Sequence, residues 1–98
     1  LRAKEFQMIR PGTILVNTSR GAVIDEAALL TALLEGRIAA AGLDVLAAEP
    51  DVADDPLIEY AKTHDNLLIT PHIGGFSPDA VRHVLSFSCQ RIAEFFRL

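Results

Sequence analysis

Residues 13–50 read TILVNTSRGAVIDEAALLTALLEGRIAAAGLDVLAAEP, and the order of patterns within them decides the fold. In Thr13–Ser19 the apolar residues Ile14, Leu15 and Val16 are consecutive rather than alternating, the signature of a short strand buried on both faces. Asp25 is a natural N-cap for the helix that begins at Glu26. Leu29, Leu30, Leu33 and Leu34 fall on one face of that helix, and Gly36 sits where a glycine ends it. Arg37–Leu46 then reads as a second strand, with small residues where something packs closely.

The flanks continue the alternation. Upstream, Met8–Gly12 is a turn in which Pro11 pre-sets φ and Gly12 tolerates positive φ. Downstream, residues 47–56 form a loop. Asp55 and Pro56 suit the N-cap and first position of a short helix running to about Thr63. Asp65 and Asn66 turn the chain into a third strand, Leu67–Thr70. Ser77 and Pro78 start a last helix that nothing breaks before about Arg97. Its stripe is Val81, Val84, Leu85, Ser88, Ile92, Phe95 and Phe96. The leucines of the first helix and the Phe95/Phe96 pair read as packing residues. Three strands with alternating helices imply an α/β fold: a parallel sheet with right-handed crossovers, half of a Rossmann-type doubly wound sheet.

Composition narrows the function. The chain has 98 residues, half of them hydrophobic, enough for one small domain or part of one. A formal charge of −4 and the lack of any basic run speak against a nucleic-acid partner. No apolar stretch approaches the roughly 18 residues of a membrane span. The single cysteine, Cys89, has no internal partner, which fits a reducing cytoplasm. The three histidines have no metal-ligand spacing, so no metal is expected.

Parallel strands end on one edge of their sheet, and ligands of such sheets bind there. The first strand delivers Asn17-Thr18-Ser19-Arg20-Gly21 to that edge. The second delivers Asp44, with Glu49 five residues on, and the third His72 before Gly74 and Gly75. Taken singly, Arg20 and Glu49 are more often loop residues, Asp44 a turn cap and His72 a hydrogen-bonded core histidine. Their joint placement is an acid–base constellation with an anion clamp. Arg20 can grip a carboxylate with its planar fork. His72 can exchange a proton near neutral pH. Glu49 can orient the imidazole and stabilise its charged form. Pro71 fixes the entry of the chain, so His72 is aimed rather than floppy.

The segment from Pro11 to Pro50, followed by NLLITPHIGG at residues 66–75, resembles the D-isomer-specific 2-hydroxyacid dehydrogenases, a family that includes phosphoglycerate, glycerate/hydroxypyruvate and D-lactate dehydrogenases. The likeness covers about residues 8–97, with NTSRG, GLDV, EP and PHIGG in the family's order and spacing. It implies hydride transfer between a nicotinamide cofactor, NAD with NADP left open, and a D-2-hydroxy or 2-keto acid. It implies that Arg20 binds the substrate carboxylate, that His72 is the general acid/base and that Glu49 is its partner. Asp44 would hold the nicotinamide carboxamide. Thr18, Ser19 and Arg20, with the backbone of His72, Ile73, Gly74 and Gly75, would line the cofactor. Glutamate rather than glutamine at position 49 favours a hydroxy- or keto-acid substrate over formate. The implied parent protein is a cytoplasmic homodimer.

The departures shape the expectation about domains. No G-x-G-x-x-G occurs in the chain, so the fingerprint that seats a pyrophosphate on a helix N-terminus is missing. Residues 1–98 therefore read as the second half of a dinucleotide-binding domain, a fragment lacking the glycine-rich first half and the substrate domain and inactive when isolated. Two alternatives remain. One is a dinucleotide-binding regulatory or protein-interaction homologue without significant turnover; the other is a stand-alone half-domain that self-associates.

Overall fold

The chain begins with a one-and-a-half-turn helix, α1 (Ala3–Met8), in the computed structural model, which describes residues 1–98. The sequence reading did not anticipate it. Its start is closed by the Arg2 amide donating to Glu5 Oε2 at 2.8 Å, and its one buried side chain is Phe6. Six residues form a stable helix only when tertiary packing holds them, and Phe6 supplies that anchor.

The remaining elements follow the expected order. They are β1 (Thr13–Asn17), a 3₁₀ turn at Gly21–Val23, α2 (Glu26–Leu34), β2 (Ile38–Leu43), α3 (Pro56–Ala61), β3 (Leu67–Ile69) and α4 (Pro78–Phe96). The capping chemistry is that of the sequence. Asp25 accepts from the Ala28 amide at 3.0 Å, Asp55 from the Leu57 amide at 2.8 Å and Ser77 from the Ala80 amide at 3.1 Å. Pro56 and Pro78 occupy first-turn positions where their missing N–H costs nothing.

The three strands form one parallel sheet in the order β1-β2-β3. Val16 pairs with Gly42 and Asn17 with Leu43, and Leu43 pairs in turn with Ile69. All three strands thus finish at one edge. The core lies between the sheet and helices α1 to α3. Leu29, Ile38 and Leu57 are its most completely enclosed side chains, with Phe6, Leu15, Leu33, Leu43, Tyr60 and Leu67 around them.

Three expectations of burial are corrected here. The strands are covered on one face only: Leu15 and Asn17 are buried, whereas Ile14 and Val16 are 68% and 70% exposed and Leu68 67%. The apolar runs suit two covers, and these 98 residues supply one. The Phe95/Phe96 pair is not core packing either, since Phe95 is 81% exposed and no residue of α4 is buried. The two rings meet edge-on at 5.1 Å and touch each other rather than a core. Leu34 also points outward. The radius of gyration, 17.1 Å, exceeds the about 12.6 Å of a compact chain of this length. The 19-residue α4 standing off the sheet accounts for the 55 Å long axis. No helix is long and apolar enough to cross a membrane.

Candidate active site

β1 ends in a turn built by Asn17. Its side chain is buried; Nδ2 donates to the Arg20 carbonyl at 2.9 Å, and Oδ1 accepts from both the amide and the hydroxyl of Ser19. This is the local bonding by which asparagine replaces a backbone turn. The Ser19 hydroxyl is thereby tied to Asn17, Thr18 faces solvent, and Arg20 is presented at the sheet edge. The Arg20 guanidinium bonds the Ser19 carbonyl at 2.7 Å and joins none of the chain's ion pairs. An exposed, unpaired guanidinium is free to receive an external carboxylate.

Directly after β2 comes Asp44, a buried carboxylate that receives three hydrogen bonds from the segment after β3. The Thr70 hydroxyl and the Ile73 amide donate to Oδ1 at 2.6 and 2.9 Å, and the Gly74 amide donates to Oδ2 at 2.8 Å. These donors hold the Asp44 carboxyl below the ordinary carboxylate range, the Thr70 hydroxyl contributing most. A Cβ at Gly74 would stand 2.9 Å from Asp44 Oδ2, so glycine there serves the approach of this carboxylate. At Gly75 nothing lies within 4 Å of where a Cβ would be, leaving that backbone open to a ligand. Asp44 therefore ties down the His72–Gly74 loop.

Held at both ends, His72 takes a left-handed backbone, φ 54°. That conformation is uncommon for a residue with a side chain, although histidine tolerates it better than most. The His72 amide bonds the Thr70 carbonyl across Pro71 at 2.9 Å. The ring then meets Glu49: Nδ1 lies 2.7 Å from Oε2. Glu49 Oε1 accepts from the Leu46 amide at 2.7 Å. The Leu46 N–H, and then His72, pull the Glu49 carboxyl below its ordinary range. With Nδ1 committed to Glu49, Nε2 is the nitrogen left for a substrate.

One hollow of about 240 Å³ is lined by Arg20, Gly21, Leu46, Glu49 and His72 among others. The three residues expected to carry chemistry share it. A second hollow of about 420 Å³ lies toward α3, walled by Val52, Ile58 and Ile69. Leu46, Glu49 and His72 border both, so the Glu49–His72 pair forms part of the wall between them.

Three residues of the site were given no role by the sequence reading: Asn17 and Gly21, which it placed at the strand end, and Glu26. An asparagine closing an apolar strand two residues before a serine was a readable turn signal. Gly21 had none, because its need for a missing side chain comes from Leu46 and Ala47. A Cβ there would sit 2.1 Å from the Ala47 nitrogen. Glu26 looked like an ordinary first-turn carboxylate.

The cofactor implied by the sequence is a dinucleotide. The open Gly75 backbone and the Arg20–Glu49–His72 hollow at the strand ends fit its nicotinamide end. The glycine-rich turn for its pyrophosphate is not among the 98 residues.

The chain is similar to known proteins over most of its length. Residues 1–74 match the family model described as the D-isomer specific 2-hydroxyacid dehydrogenase, NAD binding domain. A protein of Haemophilus influenzae named as a 2-hydroxyacid dehydrogenase is 44% identical over 95 residues, covering 97% of this chain and 30% of that protein. The structure of D-2-hydroxyisocaproate dehydrogenase superposes with a TM-score of 0.77 at 30% identity, over 98% of this chain and 32% of that one. A D-isomer specific 2-hydroxyacid dehydrogenase from Xanthobacter autotrophicus, solved with NADPH and MES, gives a TM-score of 0.63 at 42% identity, over 72% and 21%. The chain spans less than a third of each of these proteins.

Proposed function

The chain belongs to the D-isomer specific 2-hydroxyacid dehydrogenases, in the part that forms their NAD-binding domain, and we propose that it carries the acid–base and anion-binding groups of a nicotinamide-dependent D-2-hydroxyacid dehydrogenase. Within that reading residues 1–98 are the second half of the dinucleotide-binding domain, and a glycine-rich first half and a substrate domain complete the working protein, a cytoplasmic homodimer. The observation that carries the proposal is the convergence of Arg20 with the Glu49–His72 pair, at 2.7 Å, around one hollow at the carboxyl edge of the sheet.

The residues divide the work. Arg20 holds the substrate carboxylate through its two-pronged fork, which sets the keto carbon in register. Protonated His72 delivers a proton from Nε2 to the keto oxygen during reduction; neutral His72 takes one from the hydroxyl during oxidation. Ionised Glu49 orients the ring through Nδ1 and favours the imidazolium that reduction consumes. Thr18, Ser19, Asp44 and the Ile73–Gly75 backbone border the cofactor. NAD or NADP, when bound, supplies or accepts the hydride.

The test is turnover of a panel of 2-keto acids by the full-length protein with NADH and NADPH, before and after Arg20→Lys. Lysine keeps the charge and loses the fork, so kcat/KM for the best keto acid should fall about 100-fold with the cofactor KM largely kept. An undiminished rate would remove Arg20 from the clamp. No turnover of any keto acid with either cofactor would favour a regulatory homologue.

A further inference from the structure

Glu49 is held by its own loop, and that loop is held from outside. Leu46 N–H donates to Glu49 Oε1 at 2.7 Å. The very next amide, Ala47 N–H, donates to Glu26 Oε1, also at 2.7 Å, from the first turn of α2 and 21 residues back in the chain. Beneath the same peptide lies Gly21, so close that a Cβ would stand 2.2 Å from the Leu46 carbonyl carbon. The peptide linking Leu46 to Ala47 is therefore gripped between Glu26 and Gly21, and the turn fixed by that grip presents Glu49 to His72. Glu26 pairs with no cation. Burial, reinforced by the like charges of Asp55 and Glu49, raises its carboxyl above the ordinary range although the Ala47 amide opposes this. A first-turn glutamate could reach water at no such cost.

We infer that Glu26 is a positioning residue, which sets Glu49 against Nδ1 of His72 by fixing the Leu46–Ala47 peptide. The inference rests on the Glu49–His72 pairing proposed above. If the peptide is released, Glu49 can keep its bond to Leu46 and still lose its reach to the ring.

The tautomer of His72 reads this directly, because the partner of one ring nitrogen decides where the neutral ring keeps its proton. The protein is labelled with ¹⁵N in histidine, His72 is assigned by the signals lost in His72→Gln, and the neutral ring is observed in wild type and in Glu26→Ala, Glu26→Asp and Glu26→Gln. Wild type should hold the proton on Nδ1, facing Glu49. Glu26→Ala removes the acceptor and Glu26→Asp is one methylene too short; both should lose the Nδ1–H signature and give a mixture of tautomers. Glu26→Gln keeps a carbonyl oxygen for Ala47 N–H and should retain it. Aspartate, still charged and helix-compatible, carries the test if the alanine variant unfolds. An unchanged tautomer in Glu26→Asp overturns the role of Glu26 and leaves the Glu49–His72 pair standing. Loss in Glu26→Gln as well assigns the effect to charge, not to the hydrogen bond, and overturns it. A wild-type ring without the Nδ1 proton overturns the pairing itself and this inference with it.

Discussion

The carboxyl edge of the sheet and its uncovered face are made from the same three strands, yet they are built in opposite ways. At the edge nearly every polar group has an internal partner: Asn17 closes one turn, Asp44 gathers three donors, and Glu49 bridges its own loop to His72. No buried side-chain nitrogen or oxygen goes unbonded. On the open face Ile14, Val16 and Leu68 lie bare, and the apolar stripe of α4 is equally unpartnered. The edge is largely pre-organised by the chain itself, with the Arg20 guanidinium left free of any ion pair. The face depends on a cover that these residues do not supply. Substitutions at the edge should therefore be costly and those on the face nearly silent.

The sharpest expected break of that contrast is Gly21→Ala. The added methyl would meet backbone atoms of Leu46 and Ala47 at 2.1 to 2.6 Å, and backbone yields less readily than a side chain. We expect a loss of about 3 kcal/mol or more, read as a lowered urea midpoint. A stability near that of wild type would show that the 46–49 loop is free to shift, and would end the claim of a rigid edge.

Asp44→Asn should act more mildly and through pH. An amide oxygen can keep some of the donors that Asp44 accepts, but its NH₂ must then face another N–H. Because the folded Asp44 titrates below its ordinary value, its contribution to stability is present above the ordinary carboxylate range. It is lost as pH falls through the depressed one. Wild type should therefore lose urea resistance on acidification below about pH 4, and the variant should lose less over the same interval. Glu49 is depressed in the same sense, so some acid sensitivity stays. Equal acid sensitivity in the two proteins would mean that Asp44 does not hold the His72 loop.

The smallest effect is expected on the open face. Val16 is 70% exposed, so Val16→Thr should change the stability of the chain by less than about 0.5 kcal/mol. A larger loss would sharpen the comparison differently, since it would mean that the face is covered in solution. β1 is an edge strand, and an apolar edge invites pairing with another chain.

Most of the element order was legible in the sequence because the signals are local. Strand runs, the caps Asp25, Asp55 and Ser77, the prolines after two of them and Gly36 all act within a few residues of themselves. The bringing together of Arg20, Glu49 and His72 was legible too, because parallel strands must end on one edge whatever else surrounds them. Other features depend on residues far away in the chain. Helix α1 exists because Phe6 finds a core. Gly21 must be glycine because Ala47 passes over it. Glu26 bonds back onto the 46–49 loop because the Ala47 amide, 21 residues on, is turned toward it. The apolar runs of β1 and β3 state that those strands suit burial on two sides, and only the packing of α1, α2 and α3 onto one side decides which residues are covered. Hydrophobic pattern records what a strand can bury; the contacts a chain makes in three dimensions determine what it does bury.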